Sequence, residues 1–402
     1  MKSLSFVHFD ADAFFASVEQ AADRRLRGRA MAVGGQRRGI IASASYEARA
    51  RGIFTPMSTA EALRRCPELV VVPGHYDLYE QFSENIFALC RDLTPLVEKV
   101  SIDEGYLDLR PTRWRDPTGA IRQIRALDAA ITGWMKITVS HGLATNKLVS
   151  AIASKLRKPH GMVVVPAGTE AAFLAPLPVS CLPGLGPRLV GRLAECGIQR
   201  LADLTALPAT SLRPLLGGQV ERFRQMARGE DERPLCLNPP PAQSYGRQHT
   251  FASDQANEVA LLAEARAMLD TLFVTIRGEG RRVRTLSLRI RYADREECER
   301  RESLDEPSDV ETDFYPLLKP LLQRCWQRRV RLRLLGLRLS NVYEGVFQPD
   351  FFAPEKERRR TLAQVMDRLN REHGKAAICR ASRLVQPTRL EEVTGERKDA
   401  SP

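Results

Sequence analysis

The residues best placed to do chemistry are two adjacent carboxylates in an apolar run, Val100-Ser101-Ile102-Asp103-Glu104-Gly105-Tyr106-Leu107-Asp108-Leu109. Neighbouring carboxylates repel each other and cost stability unless a cation stands between them. A second acidic strand end lies far upstream, in Phe6-Val7-His8-Phe9-Asp10-Ala11-Asp12. If the two strands lie side by side, Asp10, Asp103 and Glu104 converge. Three hard oxygen ligands with room for waters suit Mg²⁺, which takes few carboxylates together with substrate phosphates. Surface acids at two unrelated hairpin turns are the plain alternative, and either strand alone favours it.

Donors for phosphate oxygens occur elsewhere in the chain. If Ser43-Ala44-Ser45-Tyr46-Glu47-Ala48-Arg49 opens a helix, Ser43, Tyr46 and Arg49 share one face. Hydroxyl, phenol and guanidinium then form a surface of donors, aided by the N–H groups of a helix start. An exposed polar face explains the spacing equally well. Lys147, Ser154 and Lys158 lie near one helical stripe, and Pro159 stops that helix with Lys158 at its end. Such a lysine can reach a triphosphate, or simply balance the helix dipole in solvent. After Asp12, Phe14 and Phe15 point to different faces of a helix start. Phe14 suits the core, and Phe15 can line the site.

Several elements must position these groups. Residues 4–10 read as a buried strand, and residues 97–109 as two strands joined at a tight turn with Glu104-Gly105 near the bend. Short strands are expected at 30–33, 40–42, 137–140 and 162–165, with helices in 57–90 and 119–133. Leu182-Pro183-Gly184-Leu185-Gly186-Pro187-Arg188-Leu189 has the shape of a helix-hairpin-helix, whose glycines let bare N–H groups approach a phosphate. A plain helical hairpin is the alternative. Asn238-Pro239-Pro240-Pro241 is the clearest break, a stiff extended linker.

A second domain starts near Ser244-Tyr245-Gly246-Arg247, with helices at 256–276 and 308–328 and strands at 282–292 and 331–343. Leu286, Leu288 and Ile290 share one face of the first strand, while Thr285, Ser287, Arg289 and Arg291 share the other. Arg329, Arg331, Arg333 and Arg338 decorate the later strand. A sheet with an arginine face can track a phosphate backbone without reading bases. Beyond 346 the tail is basic, with Leu362, Val365, Met366 and Leu369 on one amphipathic helix and disorder expected over 395–402.

The bulk properties agree with a polyanion partner. The 402 residues carry a net charge of +12, and nucleic acid is the first expectation for such an excess. No run of about 18 apolar residues is present, so no membrane span is expected. No basic segment followed by an apolar core opens the chain, so no export signal is expected. Eight cysteines without Cys-x-x-Cys pairs argue against a zinc site and fit reduced thiols in a cytoplasm.

Taken together, Asp10-Ala11-Asp12-Ala13-Phe14-Phe15, Ser43-x-x-Tyr46-x-x-Arg49, Ser101-Ile102-Asp103-Glu104 and Lys158-Pro159-x-Gly161 resemble the Y-family, or translesion, DNA polymerases. The bacterial DNA polymerase IV branch is the most similar, and the match spans roughly residues 4–345. The resemblance implies an α+β multidomain right hand. Its palm would be 1–12 and 77–167, its fingers 13–76 and its helix-hairpin-helix thumb 168–235. A linker at 236–243, an α/β little finger at 244–345 and a tail at 346–402 would complete it.

The resemblance also implies metal ligation by Asp10, Asp103, Glu104 and the Ala11 carbonyl, with two Mg²⁺ ions. Phe14, Ser43, Tyr46, Arg49 and Lys158 would contact the nucleotide, with Phe15 as steric gate against ribonucleotides. Gly184, Gly186, Arg188, Arg247, Arg289, Arg291, Arg331 and Arg333 are the DNA-contact candidates. Ser43 stands where threonine is common, Lys155 where an acid is usual, and His141 is unfamiliar.

The expected activity is template-dependent addition of dNTPs to a primer 3′-hydroxyl, in mutagenic repair synthesis past damage. Primer–template DNA and dNTP are the expected partners of a monomer in the cytoplasm. A sliding clamp is implied too, although Arg383 to Pro402 contains no clear clamp-binding peptide. A nucleotide cyclase would explain the carboxylates alone, and a non-catalytic DNA-binding scaffold the basic surfaces alone.

Overall fold

A computed structural model describes residues 4–35, 38–112, 114, 117–345, 354–374 and 377–380. It divides into two compact units, Met1–Pro239 and Pro240–Pro402, at the triple proline.

The first unit opens with β1 (Phe6–Ala11) and α1 (Phe14–Ala22). A small region follows: β2 (Met31–Gly34), β3 (Ile40–Ala44), α2 (Tyr46–Arg49), β4 (Met57–Ser58), α3 (Thr59–Arg65) and β5 (Val70–Val72). Its sheet has the order β4-β3-β2-β5 and its own small core around Ile41, Ile53 and Leu69. The main layer comprises α4 (Tyr76–Leu93), β6 (Val97–Lys99), β7 (Glu104–Asp108), α5 (Pro117–Met135), β8 (Val139–Ala144), α6 (Lys147–Leu156) and β9 (Met162–Val164). With β1 these strands form a sheet of order β6-β7-β1-β8-β9.

β1 is central, antiparallel to both β7 and β8. Its apolar run follows from burial on both faces. Val7 and Phe9 enter the core with Phe87 of α4 and Ile124 of α5, the Phe9 and Phe87 rings 5.2 Å apart. His8 alternates to the other face, where Ser154 of α6 bonds its Nδ1 at 2.8 Å. A helical region closes the unit: α7 (Glu170–Leu174), α8 (Pro187–Glu195), α9 (Leu201–Ala206), α10 (Ala209–Leu216) and α11 (Val220–Ala227), packed around Leu193, Leu204, Leu212 and Phe223.

The second unit contains β10 (Ser244–Gln255), α12 (Glu258–Gly278), β11 (Arg281–Tyr292), β12 (Glu297–Ser308), α13 (Tyr315–Cys325), β13 (Leu332–Glu344) and α14 (Pro354–His373). Its antiparallel sheet has the order β10-β13-β11-β12. Leu286, Leu288, Ile290, Leu335, Leu337 and Leu339 are buried with α12 and α13. No helix among the described residues is long and apolar enough to cross a membrane.

Several expectations are corrected. Ser43 lies on β3, and the helix after it has only four residues, capped by the Ser45 side chain, so Ser43, Tyr46 and Arg49 share no helix face. Val70–Val72 is a strand inside a region read as helical. Residues 308–328 are not one helix: Ser308 ends a strand, and the α-helix spans Tyr315–Cys325. β12 and β10 were not foreseen. Arg329 and Arg331 precede β13 rather than lying on it. In β11 the polar face is not simply outward, because Thr285 and Ser287 are 4% and 7% exposed between two flanking strands. On α14 Ala363 is buried while Leu362 is 51% exposed, so Leu362 does not face the core. The segments 383–402 and 395–402 lie outside the described residues.

Candidate active site at the ends of two acidic strands

Antiparallel pairing of β1 with β7 sets Asp10 directly opposite Glu104. The Ala11 N–H donates to the Asp103 carbonyl at 2.9 Å, which fixes the turn carrying Asp103 against the end of β1. Gly105 allows this approach: a Cβ there would lie 2.7 Å from the Glu98 carbonyl and 2.8 Å from the Phe87 ring. The sheet therefore brings all three carboxylates to one end of the paired strands β1 and β7.

Each carboxylate is held by its own partner. Lys158 Nζ stands 2.5 Å from Asp10 Oδ1. Ser101 Oγ donates to Asp103 at 2.6 Å. Glu104 faces His8 Nε2 at 3.7 Å and Lys155 Nζ at 3.6 Å. Burial raises the pKa of the Asp10 carboxyl, the Lys158 ammonium opposes that, and the Asp103 charge adds to it. Burial drives the His8 imidazole down to about 3, helped by Lys155 and Lys158, so His8 is neutral.

As the side chains stand, no group of three His, Cys, Asp or Glu among the described residues is arranged to hold a metal. The donor chemistry nonetheless fits a hard divalent cation. All three acids offer oxygen, and two lysine ammoniums already sit against them as cationic stand-ins.

The nucleotide candidates divide. Tyr46 and Lys158 meet at Asp12: the Tyr46 hydroxyl donates to its Oδ1 at 3.4 Å, and Lys158 Nζ lies 3.7 Å away. Burial and then the Asp12 charge push the Tyr46 phenol up to about 12, so it remains a donor. The Arg49 guanidinium stacks over the Tyr46 ring at 4.7 Å while its Nε donates to the Ala44 carbonyl. Ser43 is buried and its Oγ accepts from the Ala16 N–H at 3.4 Å, so it ties β3 to α1.

Ala13 has a left-handed backbone, φ 47° and ψ 45°, which is uncommon for alanine and turns the chain sharply between β1 and α1. After that turn Phe14 is buried, whereas Phe15 is half-buried with its ring stacked on Tyr79 at 4.5 Å and 22°. The Tyr79 hydroxyl is bonded by Glu19, which also accepts from His75 at 2.9 Å.

Lys147 does not join the site. It is buried and paired with Glu98 at 2.6 Å. Gly184, with φ 95°, and Gly186 form an exposed turn before α8, and Arg188 is exposed just inside that helix.

On the second unit, Glu297 pairs with both Arg289 and Arg291. Arg247 alternates away from them: it shares its side of β10 with Tyr245 and His249, which bond Glu279 and Glu264. Gly246, Arg247 and Gln248 line an open groove of about 340 Å³ with Ser287, Arg289 and Arg338.

Sequence reasoning gave no role to Asp12, Thr138, Ser140, His160 or Tyr79. One signal existed for Asp12: it follows Asp10 by two, the spacing of one strand face.

Residues 9–155 match the impB/mucB/samB family, and residues 242–351 match the C-terminal domain of that family. A DNA polymerase IV of Opitutus terrae is 45% identical over 95% of this chain and 98% of its own. A DNA polymerase IV of Dehalococcoides mccartyi is 33% identical over 92% and 95%. Among solved structures, a Y-family DNA polymerase chimera superposes with a TM-score of 0.75 at 25% identity, covering 84% of this chain and 99% of that one.

Proposed function

Since this chain belongs to the impB/mucB/samB family of Y-family DNA polymerases and is a template-dependent translesion DNA polymerase, we propose that Asp10, Asp103 and Glu104 carry its chemistry. The observation that supports this is the pairing of Asp10 opposite Glu104 with Asp103 bonded to Ala11, at strand ends that already attract two lysines. A primer 3′-hydroxyl attacks the α-phosphate of a dNTP, and pyrophosphate leaves. Asp10, Asp103, Glu104 and the Ala11 carbonyl would hold two Mg²⁺ ions, which supply charge neutralisation at the attacking and leaving oxygens. The protein's own part is positioning. Lys158, Tyr46 and Arg49 offer donors to the triphosphate, and Phe15 lies flat against the sugar. Ser43 acts indirectly, through α1.

Residues 1–12 and 77–167 are assigned as palm, 13–76 as fingers, 168–235 as thumb and 244–345 as little finger. Primer–template DNA is the polyanion that the +12 charge suits, with Gly184, Gly186 and Arg188 facing phosphates of the duplex. A monomer in the cytoplasm is the proposed working form. A sliding clamp is the remaining proposed partner.

Primer extension on a defined template tests this reading. Extension that needs template, dNTP and Mg²⁺, and stops on chelation, is expected. Incorporation without template, or none under any metal, would contradict it.

A further inference from the structure

Asp12 is the most deeply buried carboxylate near the site, 0% exposed, and four donors close on it. Oδ1 accepts from Ser140 Oγ at 2.8 Å and from the Tyr46 hydroxyl at 3.4 Å. Oδ2 accepts from Thr138 Oγ1 at 2.9 Å and from the His160 N–H at 2.8 Å. With both oxygens occupied and no exposed surface, Asp12 is not available as a ligand itself. Lys158 Nζ lies 3.7 Å from Oδ1 and is shared with Asp10.

The loop carrying Lys158 needs such an anchor. His160 is left-handed, φ 54°, a conformation that costs an L-residue roughly 1–2 kcal/mol. Gly161 passes so close to the preceding turn that a Cβ would stand 1.8 Å from the Arg157 carbonyl. Besides the His141 N–H, which donates to the Gly161 carbonyl at 2.7 Å, three bonds to side chains hold this shape: the His160 N–H to Asp12, the Gly161 N–H to Ser140 Oγ at 3.2 Å, and His160 Nε2 to Asp128 at 2.7 Å. Ser140 itself donates to Asp12, so two of the three run through one carboxylate. Tyr46 arrives from a separate region of the chain and ends on the same oxygen.

We propose that Asp12 is the positioning residue of the triphosphate clamp, fixing Lys158 from one side and Tyr46 from the other. The inference rests on the assignment of Lys158 and Tyr46 to the triphosphate. It gives Asp12 no contact with substrate. A carboxylate is required because all its partners donate. In Asp12→Asn one oxygen becomes an NH2 that faces donors, and the Lys158 ammonium loses its second anionic neighbour.

The test uses the full chain with Asp12→Asn, the milder Ser140→Ala, Lys158→Ala and the Asp12→Asn/Lys158→Ala pair. Single-turnover insertion gives the apparent Kd for the matched dNTP separately from the maximal rate. Asp12→Asn should raise that Kd roughly tenfold, the size of one lost charge-assisted hydrogen bond, with a smaller change in maximal rate and unchanged DNA binding. Ser140→Ala should raise it less. In the Lys158→Ala background Asp12→Asn should add little, because coupled residues are not additive.

A second readout needs no metal. Acylation of the Lys158 amine by an amine-reactive ester, measured by peptide mass spectrometry against exposed Lys319, should be faster in Asp12→Asn. Unchanged dNTP affinity in the variants that fold, or full additivity with Lys158→Ala, would overturn the proposal. If Asp12→Asn does not fold, Ser140→Ala carries the same comparison. Unchanged dNTP affinity in Lys158→Ala would instead overturn the triphosphate assignment on which it rests.

Discussion

Phe14 and Phe15 are adjacent in sequence and opposite in environment. Phe14 is buried in the main core, while Phe15 presents a ring supported from behind by Tyr79. A flat apolar ring against C2′ of an incoming sugar leaves a ribonucleotide hydroxyl without space or partner, and an unpaired hydroxyl costs about 1–3 kcal/mol. Phe15→Ala should therefore raise ribonucleotide insertion sharply, with a smaller effect on dNTPs. Phe14→Ala should cost stability, about 3–5 kcal/mol for a large-to-small core change, with sugar discrimination preserved. Matched dNTP and rNTP insertion by each variant measures this. Discrimination that survives Phe15→Ala removes the gate. At this scale the sequence was readable where residue type dictates chemistry: carboxylates, a lysine stopped by Pro159, an aromatic pair. It was not readable for Asp12, whose meaning lies in donors 34 to 148 residues away.

Elements were legible where one face is apolar and the other is not. The acidic hairpin, α4, α5, α12 and β11 follow that rule, whereas β1, buried on both faces, was legible from its continuous apolar run. β12 broke it. Its sequence, Glu297-Cys-Glu-Arg-Arg-Glu-Ser-Leu-Asp-Glu-Pro-Ser308, reads as solvated polar chain, because an edge strand carries charges that discourage pairing with other molecules. Ser43 was misplaced for a different reason: a four-residue helix has too little periodicity to locate its start.

The latch of α14 onto the second unit gives an element-scale prediction. Arg277 is nearly buried between Glu311 and Asp367, each 2.6 Å away, and Arg380 also reaches Glu311. Burial alone would raise the Glu311 pKa, but the Arg277 and Arg380 guanidiniums outweigh it and hold the carboxyl below its usual value. A depressed acid stabilises the fold above its unfolded pKa of about 4.3, and that contribution is lost as pH falls through the folded value. Hydrogen exchange of α12 and α13 amides should show Glu311→Gln less protected than the parent at about pH 7, with the gap closing in acid. A gap that is constant with pH would show the charge to be irrelevant.

For the whole molecule, the proposed chemistry lies in the first unit and much of the proposed DNA grip in the second. The triple proline made the boundary between the two units readable, whereas the disposition of the arginines was not, because Glu297 pairs with two of them and strand alternation sets Arg247 opposite Leu337 rather than in line with Arg289. Deleting 244–345 should weaken primer–template binding strongly and flatten its salt dependence, since fewer counterions are released. Glu297→Gln should do the reverse, freeing Arg289 and Arg291 and steepening the salt slope by roughly 0.9 for each phosphate newly neutralised. Fluorescence anisotropy across a salt series measures both, and unchanged slopes would deny the sheet its role. The most direct measurement of the central claim pairs that binding assay with single-nucleotide insertion by the Asp103→Ala/Glu104→Ala variant. The account predicts DNA affinity close to the parent's and no detectable insertion at any Mg²⁺ concentration. Insertion at the parental rate would contradict it.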